Sequence, residues 1–187
     1  FYADFAMIPL LEPCNQQEAY DMARHGFELS ERCRIPVMVR MVTRLAHSRA
    51  VVECDAAPLP ENELHYPANP RQWVLMPAVS KVRNRQLIKD QEQFRKESEE
   101  SPFNRYEDGS DKRLGIIASG IAYNYLQEIF DGRVPFPVLK IGQYPLPVEA
   151  MRRLYDACDA LLVLEEGQPF IENHVRGLLY HGKEIYG

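Results

Sequence analysis

Only four cysteines occur in the 187 residues, at positions 14, 33, 54 and 158. They are widely scattered and never in C-x-x-C spacing, so neither a cysteine-built zinc or redox site nor the dense scaffold of a small secreted domain is expected. Cys14, Cys33, Cys54 and Cys158 read as free thiols. Long apolar runs are also absent: none approaches the roughly 18 residues that cross a bilayer, and no basic-then-apolar secretion pattern opens the chain. No membrane partner is expected, and a cytoplasmic setting is. An excess of basic charge is missing too, because 22 Lys plus Arg stand against 27 Asp plus Glu, for a net charge of -5. That balance offers no general attraction to nucleic acid or anionic lipid. Neither G-x-G-x-x-G nor G-x-x-x-x-G-K-[ST] occurs, nor an iron-sulfur run of cysteines. What is present, 45% hydrophobic and 26% charged residues, is the make-up of one or two globular domains and excludes disorder and collagen.

The pattern along the chain is that of alternating strands and helices. Ala6 to Leu11 is a short apolar stretch ending at Pro13, which suits a buried strand. Asn15 is a good N-cap, and Glu18 three places on completes a capping box. In the helix that follows, Tyr20, Ala23 and Phe27 form one stripe, with Ala19, Met22, Gly26 and Leu29 beside it. Arg34 and Pro36 mark its end. Val37 to Val42 reads as a strand covered on both faces, giving a β-α-β unit with a right-handed crossover. Prolines at 58, 60, 67 and 70 make 55 to 70 a linker. From Ala78 to about Glu100 the spacing predicts a polar helix along a surface, whose Lys81, Arg83, Arg85, Lys89, Arg95 and Lys96 are interleaved with acids. Strands are predicted at 114–118, 137–141 and 160–164, with helices between and after them: a β-α-β-α-β-α pattern and a parallel sheet. The stripes on those helices are Ile121, Tyr125 and Ile129, then Val148, Met151 and Leu154 after Pro147, then Ile171, Val175 and Leu178.

Ligands of open parallel sheets gather at the carboxyl ends of the strands. That rule selects Ser119-Gly120, Gly142 to Pro145 and Glu165 to Pro169. Ser119-Gly120 can present amides to an anion, with ordinary turn chemistry as the alternative. Glu165 and Glu166 should diverge, one toward a pocket or a partner's positive group and the other to solvent. At the end of the Val37–Val42 strand, Arg40, Arg44, His47 and Arg49 can grip a carboxylate or phosphate, or form surface ion pairs. His47-Ser48 is rejected as a nucleophilic pair, because a triad needs spatial partners. Cys14 is read as a buried small residue rather than a reactive thiol, and His25 as a solvated or edge residue. His65, His174 and His181 lack ligand spacing, and Trp73 should anchor the connector to a domain.

The run Leu11-Glu12-Pro13, then Asn15 to Met22, Glu28 to Glu31, Pro36-Val37, Arg40 and Thr43 to Arg49, resembles the 2-oxo acid:ferredoxin oxidoreductase family, in its indolepyruvate-type alpha subunits. The resemblance continues through Val74 to Arg85, Gly115 to Tyr125, Leu139 to Pro147 and Val163 to Glu172. It implies a fold of two α/β, three-layer parallel-sheet units, the first truncated and the second like the transketolase C-terminal domain. Residues 1–55 would be the second half of a pyrimidine-binding-type thiamine diphosphate domain, 56–112 a linker and polar connector helix, and 113–187 the transketolase C-terminal-type domain.

It also implies an enzyme that oxidatively decarboxylates an aryl 2-oxo acid such as indolepyruvate to the acyl-CoA and reduces ferredoxin. Thiamine diphosphate, magnesium and [4Fe-4S] clusters would serve the whole enzyme, with a beta subunit, ferredoxin, the 2-oxo acid and coenzyme A as partners. The chain opens on Phe1 rather than Met and is expected to be an internal piece. It would lack the glutamate and metal site that work the cofactor, would be inactive alone, and would hold no catalytic, cofactor-binding or metal residue. Thr43, Arg44, His47 and Arg49 are the candidates for a substrate-side or interface role. Truncated sheets would expose edges that pair, so an oligomer is expected. Two other classes compete: a non-catalytic α/β interaction module, and an anion- or nucleotide-binding domain.

Overall fold

The computed structural model describes residues 1–54, 66, 68–179 and 182–187. Most of the expected linker, with His65, and also His181, lies outside the described residues. The chain opens with a short helix, α1 (Tyr2–Ala6), rather than the strand expected from Ala6. A hydrogen bond from Phe5 N to Phe1 O at 2.8 Å closes that turn. Strand β1 is confined to Leu10–Leu11, just after Pro9, which has no N–H to give a ladder.

Helix α2 (Gln16–Cys33) starts where expected, with the Asn15 side chain accepting from Glu18 N at 2.8 Å. The Glu18 carboxylate reaches one residue further than a capping box, accepting from Cys14 N at 3.0 Å. Arg34, in the left-handed region at φ 53°, ends the helix. Its buried stripe is Glu18, Met22, Gly26, Leu29 and Cys33, whereas Phe27 is 79% exposed. The phase is set at Gly26, where an added Cβ would lie 3.4 Å from Leu11 Cδ1. Close approach of the helix to β1 thus turns the largest side chains outward.

Strand β2 (Met38–Val39) runs parallel to β1 in the register Leu10 to Met38 and Leu11 to Val39. It is shorter than the expected Val37–Val42 strand and is not covered on both faces, since as an edge strand it leaves Val39 and Met41 exposed. After the short helix α3 (Thr43–His47) and a 3-10 turn at Pro70–Trp73 comes α4 (Pro77–Glu99). Sparse apolar positions keep α4 on the surface as expected: only Phe94 and Ser98 are buried, Phe94 packing with Leu29 and Cys33 of α2. Trp73, expected to anchor the connector, is 64% exposed.

The second sheet has five strands in the order β3-β5-β4-β7-β8. They are β3 (Arg105–Glu107), β4 (Leu114–Ser119), β5 (Val138–Ile141), β7 (Ala160–Leu164) and β8 (Glu184–Tyr186). All pairs are parallel except β3 with β5. Between them lie α5 (Ile121–Ile129), α6 (Val148–Ala157) and α7 (Phe170–Leu179). Side chains alternate across this sheet. Ile117, Leu139 and Leu161 pack with Met151, Leu154, Ile171 and Val175 on the α6–α7 face. Ile116, Ala118 and Val138 pack with Tyr123 and Leu126 of α5 on the other face. On α5 Ile121 is buried as expected, but Tyr123 and Leu126 take the places of Tyr125 and Ile129, and on α7 Leu179 replaces Leu178.

A two-residue strand, β6 (Gln143–Tyr144), leaves the second unit and pairs antiparallel with β1, so the first sheet reads β2-β1-β6. Cys14 completes the junction by packing among Ile116, Ala118 and Tyr123. Among the described residues, no helix is long and apolar enough to cross a membrane.

Candidate functional site

The carboxyl end of β1 delivers Glu12 to the seam between the two sheets. Its backbone N–H donates to Gly142 O at 2.8 Å, and the residue is only 4% exposed. Its carboxylate accepts from the Arg40 guanidinium on one oxygen and from the Tyr144 hydroxyl, at 2.8 Å, on the other. Burial, and then the charge and hydrogen bond of Glu12, hold the Tyr144 hydroxyl well above its ordinary range, so it stays a proton donor. Gly120 closes the third side. A Cβ there would come 2.9 Å from Glu12 Oε1, and its φ of +50° suits glycine.

Above this buried carboxylate lies an open cleft of about 710 Å³ lined by Arg40, Met41, Val42, Thr43, Arg44, His47 and Glu166. The structure thus brings together Thr43, Arg44 and His47 with Arg40. Arg49 does not line the cleft. Between them the chain is tied down at Ser48, which donates to Leu45 O at 2.9 Å and accepts from Gln16 Nε2 at 2.5 Å. Buried Leu45 anchors α3, and the Arg44 guanidinium lies 5.5 Å from the centre of the Tyr125 ring. Arg40 Nη2 reaches Glu166 O at 3.5 Å, so the loop after β7 forms part of the wall.

The paired glutamates diverge, but the one turned from the cleft meets a helix end rather than solvent. Glu166 lines the cleft, while Glu165 accepts from the amides of Phe170, Ile171 and Glu172 at 3.0, 2.8 and 3.0 Å. Glu165 therefore satisfies the first turn of α7. At Ser119-Gly120 the anion met by the turn is the chain's own Glu12.

A second buried carboxylate is one that sequence reasoning assigned only to capping. Glu18 contacts the ammonium of Lys140, a side chain with 0% exposure, and accepts from Arg105 Nη1 at 3.3 Å. Burial raises the Glu18 carboxyl, but the Lys140 charge and the hydrogen bonds outweigh it and leave it below its ordinary value. The signal for this pair was a lysine inside the apolar strand Val138–Ile141. Burial also pushes Cys14 up to about 12, against the lowering charge of Lys140, which fits the inert reading of this thiol.

Gln143 is a further hub. Its side-chain oxygen accepts from Ser101 at 2.7 Å and faces His25 Nε2 at 3.2 Å, while Asn104 Oδ1 accepts from the amides of Gly142 and Gln143 at 2.8 and 2.9 Å. His25 is thus half-buried against Gln143 and the Phe103 ring, not solvated. His174 pairs with its own helix through Phe170 O at 2.8 Å.

The described residues do not fit the grip of a metal ion. Among them no group of three or more His, Cys, Asp or Glu side chains could hold a metal ion. Glu12, the buried acid at the cleft, already has Arg40 and Tyr144 on its two oxygens.

The family model described as "Pyruvate flavodoxin/ferredoxin oxidoreductase, thiamine diP-bdg" matches residues 2–105. Indolepyruvate oxidoreductase subunit IorA of Methanothermobacter thermautotrophicus is 37% identical over 177 residues, covering 93% of this chain and 29% of that protein. The IorA subunit of Pyrococcus abyssi is 33% identical over 199 residues, covering 98% of this chain and 31% of that protein. The chain therefore spans under a third of the length of these relatives. Among solved structures, a 2-oxoglutarate:ferredoxin oxidoreductase from Magnetococcus marinus, with 2-oxoglutarate, coenzyme A and succinyl-CoA bound, matches 95% of this chain and 38% of its own. That match has a TM-score of 0.59 at 14% identity, a likeness of fold.

Proposed function

The chain belongs to the pyruvate flavodoxin/ferredoxin oxidoreductase family, and from that premise we propose that it is part of the alpha-type subunit of an enzyme oxidising an aryl 2-oxo acid. Indolepyruvate is the type substrate, the products are the acyl-CoA and carbon dioxide, and the electrons leave to ferredoxin. The observation that carries this reading is the 37% identity to an indolepyruvate oxidoreductase subunit, sustained over 93% of the chain and so across both sheets. A beta subunit, ferredoxin and coenzyme A are the partners, and thiamine diphosphate, magnesium and [4Fe-4S] clusters serve the whole enzyme.

Within it, residues 1–55 act as the second half of a pyrimidine-binding-type domain, 56–112 as a connector whose last part adds the edge strand β3 to the second sheet, and 113–187 as the rest of a transketolase C-terminal-type domain. Their task is to shape one wall of the reaction site and to hold the two α/β units together. Thr43, Arg44 and His47 belong to the substrate-side wall, whose position at the carboxyl ends of β1 and β2 is where open sheets receive ligands. No step of the cofactor's chemistry is assigned to this chain. In the test, the assembled enzyme should reduce ferredoxin with indolepyruvate and coenzyme A, while these 187 residues, given cofactor and keto acid, release no carbon dioxide. Decarboxylation by the isolated polypeptide, or an assembled enzyme indifferent to aryl 2-oxo acids, would defeat the reading.

A second reading, compatible with the first, is that of a subunit-interaction module. It is favoured by the outward apolar side chains of Phe1, Tyr2 and Phe5 on α1 and of Trp73, Leu75 and Met76 before α4, all more than half exposed. Sedimentation of the isolated polypeptide over a wide concentration range checks it. Association supports the module and a strictly monomeric species opposes it.

A further inference from the structure

Helix α4 meets the body mainly through its second half. Phe94 and Ser98 are its buried residues, Leu87 packs at the edge of the cluster of Leu29, Cys33 and Phe94, and Arg32 of α2 meets Glu97 at 3.0 Å. The first half leaves Val82 and Ile88 more than half exposed, as are Trp73, Leu75 and Met76 just before it. At the N-cap, Met76 makes no side-chain hydrogen bond to the free amides.

Positive charge is concentrated in the same stretch. Residues 70–89 contain five of the 22 basic residues and none of the 27 acidic ones, so the net charge of -5 conceals a cationic segment on a strongly acidic body. Lys81, Arg85 and Lys89 stand one helical turn apart on the side opposite Phe94, with Val82 and Ile88 flanking them. Like charges at that spacing repel each other along a helix, and among the described residues none of the three meets a carboxylate. An uncapped, self-repelling half-helix with exposed aliphatic side chains gains little from its own chain. What would complete it is an acidic surface that also offers apolar contact.

Such a surface lies on α2. Tyr20, Asp21, Arg24, His25, Glu28 and Glu53 line an open groove of about 340 Å³, with three carboxylates against one guanidinium. Gln17 fastens Glu53 beside the helix, accepting from its backbone N–H at 2.8 Å and donating to its carbonyl at 3.2 Å. The exposed Phe27 shares the Tyr20 side of α2 and supplies apolar area. Because both surfaces belong to one chain, two copies can satisfy each other twice about a twofold axis.

The geometry points to self-association of this chain, with the Lys81, Arg85 and Lys89 face of one copy seated on the Asp21, Glu28 and Glu53 groove of the other. A second copy fits better than nucleic acid or an anionic membrane, because the acidic body repels both of those. This pairing deepens the interaction-module reading above and rests on it.

Sedimentation velocity of the 187-residue chain, with near-ultraviolet circular dichroism to confirm folding, provides the test. The parent should dimerise, and its dimer should weaken roughly tenfold when sodium chloride rises from about 50 to about 500 mM. Lys81→Glu/Arg85→Glu/Lys89→Glu on the helix, and Asp21→Lys/Glu28→Lys on the groove, should each weaken self-association roughly a hundredfold. An equimolar mixture of the two variants should pair again, since each reversed surface then faces one of opposite sign. If either variant fails to fold, Arg85→Gln/Lys89→Gln decides the matter, with a roughly tenfold weakening expected.

A parent dimer that none of these changes weakens, or variants that stay apart when mixed, overturns the inference and leaves the interaction module standing. A strictly monomeric parent overturns both. So does a monomer that binds phosphatidylserine vesicles or a duplex RNA through Lys81, Arg85 and Lys89, which would give this face to a polyanion.

Discussion

Lys140, fully buried in β5, places its ammonium against the carboxylate of Glu18 on α2, a partner 122 positions away in sequence. This pair ties the helix of the first unit to the sheet of the second. Its energetics follow from burial: each charge is tolerable only while the other is there. Lys140→Met should therefore destabilise the chain by about 3–5 kcal/mol, because Glu18 is left buried with the Cys14 amide and, for charge, the part-exposed Arg105. The double variant Glu18→Gln/Lys140→Met should recover most of that loss. Urea unfolding of the three proteins measures it, and a double variant as weak as the single one would contradict the account.

The same pair makes stability depend on acid. The folded state holds the Glu18 carboxyl below its ordinary value of 4.5, so this contribution is complete above that pH and is lost as the pH falls through the lowered folded value. Melting temperatures between pH 3 and 7 should show a steeper decline below about pH 4.5 in the parent than in Glu18→Gln, since removing the carboxyl removes this linkage. Parallel acid limbs would show that other carboxylates carry the effect.

Gly120 makes a sharper steric claim. A methyl group there meets Glu12 Oε1 at 2.9 Å in a backbone conformation of φ +50°. Gly120→Ala should cost about 1–3 kcal/mol through strain alone, with a further loss from displacing Glu12. Gly177, inside α7 with open space for 4 Å around the position a methyl group would take, is the control. Gly177→Ala should stabilise by about 0.5–1 kcal/mol, the helix-propensity difference. Denaturant midpoints of the two variants should move in opposite directions.

What the sequence revealed about this molecule divides along the range of the forces involved. The ends of α2 were legible because Asn15, Arg34 and Pro36 act locally, and β4, β5 and β7 because short apolar runs are bounded by charged residues, Gly or Pro. The phase of α2 was not, since it is fixed by contact of Gly26 with Leu11. Nor was β6, two residues placed in the first sheet by pairing with β1 and by the grip of Asn104. Arg40, Arg44, His47 and Arg49 could be grouped from spacing along one strand end, of which all but Arg49 line the cleft, and Thr43 came only with the family resemblance. Glu12 could not, because its partners Arg40 and Tyr144 lie 28 and 132 positions away.

The cysteines provide a chemical check on how the two units join. Cys14 packs in the α5 core, and burial pushes its thiol up to about 12; Cys33 is pushed up to about 11 by burial and the Glu97 charge. Cys158 is buried and raised as well, while Cys54 is exposed. Because only the thiolate attacks a disulfide reagent, the native chain at pH 8 should release one thiol's worth of thionitrobenzoate quickly. Four should react after denaturation. Fast reaction at Cys14, located by peptide mapping, would mean that the β1–α2 turn does not stay inserted in the second unit. The Glu12 platform beside it would then lose its support.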